Sequence, residues 1–151
     1  MTHEESIMLS TELKRIYLLM EHGELALARE HMQKVEELFP DEPLVFALKG
    51  SIEIAAGELD ASLVILRAAA RRWPEDPSVQ IYLAEAYLFS RKLSQAKRKV
   101  RGIRTYLESL SEEHPQYSWL NMARELEQLC ISLEPAQIPQ PVVSTADERA
   151  S

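Results

Sequence analysis

Apolar residues along this chain recur at the three- and four-residue steps of a helix face. Leu120, Ala123, Leu126, Leu129 and Leu133 form one such stripe. Near the middle the stripe widens. Val79, Ile81, Tyr82, Leu83, Ala84, Ala86, Tyr87, Leu88 and Phe89 leave almost no polar face. A helix that is apolar all round must be covered on every side. Read with the turn residues between them, these patterns predict seven helices, at roughly 4–22, 25–39, 43–56, 59–73, 77–90, 93–112 and 116–133.

The pattern repeats. Pro40-Asp41-Glu42-Pro43 returns as Pro74-Glu75-Asp76-Pro77, 34 residues on, preceded by Phe39 and then Trp73. Gly23-Glu24-Leu25 returns as Gly57-Glu58-Leu59, and one more step reaches Arg91-Lys92-Leu93. Ala28, Ser62 and Ala96 keep the same interval, each followed four residues later by Met32, Leu66 or Val100. The small residue lets the second helix of a pair lie close to the first, and the large one fills the gap a turn later. The closing proline cannot continue a helix, whereas the proline three residues later suits a first turn.

A 34-residue period with a small residue, a large one four places on and a closing Pro resembles the tetratricopeptide repeat. The leading half of that pattern is best kept in Leu83-Ala84-x2-Tyr87; the second repeat keeps Gly50, and the first has Ile16 and Leu19 at its Gly and Tyr positions. The resemblance implies an all-α, right-handed α-solenoid of three helix pairs plus a C-terminal capping helix. Repeats fall at about 9–42, 43–76 and 77–114, with the cap at 116–133 and a domain spanning 1–133. Pro115 comes late for strict repetition, which predicts a second helix of repeat three about two turns longer than its siblings. Residues 134–151 carry Pro135, Pro139 and Pro141 without periodicity and read as a disordered tail, with Ile138–Val143 a candidate linear motif.

Charge adds a second pattern. The net charge is −7, but residues 61–107 hold ten basic and three acidic residues while both flanks are acidic. That dipolar arrangement argues against binding nucleic acid over the whole surface. Cys130 is the only cysteine, so no internal disulfide forms and a reducing, cytoplasmic location is expected. Met1-Thr2-His3-Glu4-Glu5 lacks the positive start of a signal peptide, and no apolar run reaches bilayer-spanning length.

Little catalytic chemistry stands out. His3, His22, His31 and His114 have no Cys or second His at metal-ligand spacing, and the four glycines form no phosphate loop. No metal, cofactor or enzymatic activity is expected. Cys130 reads as a packed thiol.

The resemblance also implies which positions line the hollow side. Counted from repeat starts at residues 9, 43 and 77, they include Leu13, Tyr17 and Met20; Leu44, Leu48, Ser51 and Ile54; and Ile81, Tyr82, Glu85, Leu88 and Phe89. Some members grip a partner's terminal carboxylate with Lys, Arg and Asn at such sites; Leu13, Tyr17, Leu48, Ser78 and Tyr82 stand there instead. An apolar groove suits an amphipathic or extended apolar peptide. A second copy and the capping helix are the other candidates to cover the all-apolar fifth helix. If the groove captures a client, Tyr82→Glu and Leu48→Glu are expected to abolish capture without unfolding the domain.

Arg67, Arg71, Lys97, Arg98, Arg101 and Arg104 make a basic patch on the second helices of repeats two and three. It reads either as a solvated outer face or as a dock for an acidic partner, including the acidic end of a second copy.

Tyr82-Leu83-Ala84-Glu85-Ala86-Tyr87-Leu88, Lys92-Leu93-Ser94-Gln95-Ala96 and Glu113-His114-Pro115-Gln116-Tyr117, ending in the capping helix, are similar to the tetratricopeptide chaperones of type III secretion. Those chaperones hold an aggregation-prone segment of their client in the hollow groove. The expectation is a non-catalytic cytoplasmic chaperone for a protein or peptide client, compatible with a homodimer. A scaffold joining folded proteins, partly through the basic patch, is the alternative.

Overall fold

The computed structural model describes residues 1–134, and every regular element among them is helical. In order these are α1 (His3–Glu21), α2 (Leu25–Leu38), α3 (Pro43–Ala55), α4 (Leu59–Arg72), α5 (Pro77–Phe89), α6 (Leu93–Glu108) and α7 (Leu120–Ser132). A 3-10 helix, Pro115–Trp119, leads into α7. The tail expected over 134–151 and the motif at Ile138–Val143 lie outside the described residues, save for Glu134.

Each helix packs on its neighbours in sequence, and the odd-numbered helices also pack on one another: α1 on α3, α3 on α5, α5 on α7. Connections of three or four residues make consecutive helices antiparallel from α1 to α6. This nearest-neighbour packing is consistent with a helical solenoid.

The sequence explains the helix ends. Thr2 and Glu5 cap α1 reciprocally, and the backbone N–H of Thr2, followed by its hydroxyl, holds the Glu5 carboxyl below its ordinary range. Pro43 and Pro77 open α3 and α5, and Asp76 accepts from the Val79 N–H at 3.1 Å. The odd helices α1, α3 and α5 end in one shared device. Gly23, Gly57 and Arg91 adopt φ of 73°, 79° and 63°, and the next amide returns to a carbonyl five residues back: Glu24 to Leu19, Glu58 to Glu53, Lys92 to Tyr87. The third repeat thus keeps a left-handed residue where it has lost the glycine.

Close pairing of helices sets the core. Ala28, Ser62 and Ala96 are fully buried, as are Leu66 and Val100, with Met32 almost so. Gly50 faces Leu66 so closely that a Cβ there would lie 2.6 and 2.8 Å from the two Leu66 methyls. Ile16 and Ala84, at the corresponding places, are also sealed.

Two expectations change. The last helix of repeat three ends at Glu108, only two residues longer than α2 and α4 rather than two turns. Ser109 donates its hydroxyl to the Tyr106 carbonyl, and the following Glu112 and Glu113 would oppose the negative end of a longer helix. The cap therefore begins as a 3-10 turn that places Trp119 before α7 starts. Coverage of α5 is internal: Ile81, Ala84 and Leu88 pack with Leu120, Ala123 and Leu126 of α7, and Val79, Tyr82 and Leu83 pack with Leu63, Leu66 and Ala69 of α4. Phe89 at the end of α5 is left out of this cover and stays exposed.

Candidate partner-binding faces

The face expected to be hollow is carried by α1, α3 and α5, which pack on one another in that order, and Trp119 meets Tyr82 of α5. Twelve positions were expected to line it as an open apolar groove. Six of them, Leu13, Leu48, Ser51, Ile81, Tyr82 and Leu88, are instead buried. Leu13 and Leu48 belong to the core under α1–α3, with Leu9, Ile16, Met32 and Val35. Ile81 and Leu88 are taken up by α7. The packed helices come close enough to consume these side chains, so charge at Leu48 or Tyr82 would break the core rather than report on partner contact.

A narrower strip remains accessible. Tyr17, Met20, Leu44, Ile54 and Glu85 are half-buried, and Phe89 is 53 % exposed. Tyr17 crosses from α1 to α5 to share a hydrogen bond with Tyr82, their hydroxyl oxygens 3.1 Å apart. Trp119 meets Tyr82 edge-on, ring centres 6.5 Å apart. Burial, then the neighbouring Tyr17 hydroxyl, pushes the Tyr82 phenol far above its ordinary value.

Glu85 sits one turn before Phe89 on α5. Burial raises its carboxyl above the usual range. Among the described residues it has neither a cation at ion-pair distance nor a side-chain hydrogen bond. The strip is thus aromatic and apolar with one uncompensated acid.

No protein-family model matches the chain, and no curated protein matches it. The repeat likeness stands on spacing and packing alone.

The basic patch divides into two faces. Lys97 pairs with Glu134, Arg101 with Glu127 at 3.5 Å, and Arg104 with Glu127 at 2.5 Å and Glu108 at 2.8 Å. These cations are used internally to dock α7, with Glu127 only 8 % exposed. Arg67, Arg71 and Arg98 keep no carboxylate partner among the described residues. Arg67 lies over the Tyr87 ring at 5.5 Å.

Trp119 and Glu127 were not among the candidates read from the sequence. Trp119 lies beyond the three repeats, so their spacing does not mark it. Glu127 interrupts the buried stripe Leu120, Ala123, Leu126, Cys130, and that interruption was its available signal. The described residues contain no group of His, Cys, Asp and Glu arranged to hold a metal, and no helix long and apolar enough to cross a membrane. Cys130 is buried; its burial, helped by the Glu127 charge, raises the thiol, which keeps it unreactive.

Proposed function

We propose that this protein is a non-catalytic protein-binding module that holds a short amphipathic segment of a client along the hollow strip. The observation that carries the reading is Phe89, more than half exposed at the end of α5, the helix whose Tyr82 is hydrogen-bonded by the half-buried Tyr17 of α1. A large aromatic left in water on a helix that otherwise buries its apolar side chains marks a surface that gains by being covered. The sealed positions narrow the grip from a broad groove to a strip, so the client contributes a few anchoring side chains rather than a long greasy segment.

The similarity to type III secretion chaperones supports a cytoplasmic chaperone with a dedicated client. The test is to identify the client by co-purification from the native source and then measure its binding to Phe89→Glu and Met20→Glu. Phe89→Glu should keep the wild-type circular dichroism and melting midpoint, and Met20→Glu, whose side chain also packs on the α1–α3 core, should stay folded with a lower midpoint, while client affinity falls at least about tenfold in both, the loss expected when one anchor is removed. Leu48→Glu should unfold the domain. Full client affinity in both folded surface variants would overturn the reading.

A further inference from the structure

The outer surface carries a second feature that the hollow strip does not use. α5 lies between α4 and α6, packing on both. The outward side of α5, with Gln80 and Tyr87, floors the gap between them. Arg67 stands on the α4 wall, stacked on Tyr87 with its Nε donating to the phenol oxygen at 3.4 Å. Lys99 stands on the α6 wall, its ammonium donating to the Gln80 amide oxygen at 2.7 Å. Arg98 adjoins it, and the two line a cleft of about 290 Å³ with Tyr87 and Gln95. They also border a neighbouring cleft of about 370 Å³ above Gln80, whose one carboxylate is Glu75. Arg71, one turn after Arg67, extends the α4 wall.

The contrast with the adjoining face of α6, where Arg98 borders a further cleft with Lys97 and Arg101, is the decisive observation. There Lys97, Arg101 and Arg104 are neutralised by Glu134, Glu127 and Glu108. Here Arg67 and Lys99 are held in place by neutral groups, a phenol and an amide, which orient the cations without consuming their charge. A guanidinium already fixed by stacking loses little freedom when it meets a carboxylate.

We infer that the Tyr87-floored cleft beside α6, lined by Arg98 and Lys99 with Arg67 of α4 over the Tyr87 ring, docks an acidic segment of a partner protein. Positive charge facing a carboxylate-bearing peptide supplies complementarity and steers encounter. Nucleic acid fits less well. The chain carries a net −7, and Tyr87 lies under Arg67 rather than offering a free stacking face.

The test uses the full chain with a fluorescein-labelled (Glu-Glu-Leu)4 peptide, read by anisotropy. Controls are (Gln-Gln-Leu)4 and a dT12 oligonucleotide. Saturable binding of the acidic peptide at 50 mM NaCl is expected, weakening about tenfold by 300 mM as exposed charges are screened. Arg98→Glu and Lys99→Gln should each weaken it by about threefold to tenfold, as loss of one exposed charge contact does. Lys14→Glu on α1, the same charge reversal as Arg98→Glu made elsewhere, should leave it within twofold. Both α6 variants alter side chains outside the core, and circular dichroism confirms their fold. The assignment is overturned by no binding of the acidic peptide, by equal weakening with Lys14→Glu, or by tighter binding of dT12. Self-association at low salt that Arg98→Glu abolishes, without peptide binding, would replace the partner by a second copy and equally overturn it.

Discussion

The phenolic oxygens of Tyr17 and Tyr82 lie 3.1 Å apart although 65 residues separate them. This bond ties the first helix to the fifth across the hollow side. The two ends of it are unequal: Tyr82 is 5 % exposed and Tyr17 is half-buried. Tyr17→Phe leaves a buried hydroxyl without its partner and should cost about 1–3 kcal/mol. Tyr82→Phe leaves the Tyr17 hydroxyl able to reach water and should cost about 0.5–1.5 kcal/mol. Urea unfolding of both single variants and the double variant measures the difference and the coupling. Equal losses for the two single variants would show that the bond does not matter as drawn.

Gly50 is required by contact rather than by backbone angle. Gly50→Ala gains about 1 kcal/mol of helix propensity. It also drives a methyl into the Leu66 side chain, at a cost of about 1–3 kcal/mol. Net destabilisation is expected, seen as a lower denaturant midpoint. Combining it with Leu66→Ala should cost less than the two single losses together, because the residues share one space.

Arg91 holds a left-handed conformation that Gly23 and Gly57 adopt without strain. Arg91→Gly should therefore stabilise the protein by about 1 kcal/mol. Gly23→Ala and Gly57→Ala should destabilise it by a similar amount, since neither position has neighbours that would reward a Cβ. Thermal or denaturant melts of the three variants check the opposite signs.

Glu85 provides a pH signature. Its carboxyl is raised in the folded state by burial. Between the unfolded and the raised folded value, the folded chain binds the extra proton, so Glu85 contributes stability as pH falls through that window. Above the folded value the buried charge is a standing cost. Glu85→Gln should thus be more stable than wild type at neutral pH, with the advantage shrinking as pH drops towards 4.5. Parallel melts across that range test it. A constant difference at every pH would show that Glu85 does not titrate differently in the folded state.

Much of the architecture was legible before any coordinates. The 34-residue interval located the turns at Gly23, Gly57 and Arg91, the small packing residues Ala28, Ser62 and Ala96, and the prolines that open α3 and α5. These are local requirements: a left-handed residue, a missing side chain and a fixed φ each show in the residue type itself. The end of α6 was misplaced because hydrophobic period carries no mark where a hydroxyl turns back on its own helix, as Ser109 does.

The sequence by itself determined the helices, their order and which residues must be small, because those follow from backbone chemistry repeated at a fixed spacing. Only the tertiary structure decided which apolar residues stay open and which cations stay unpaired. Exposure depends on how closely elements distant in sequence approach: α7 covers Ile81 and Leu88, and Glu127 neutralises Arg101 and Arg104 while Arg98 on the same helix has no carboxylate partner among the described residues. A residue's type states what it needs, but the distance to its neighbours decides whether a partner protein can still meet that need.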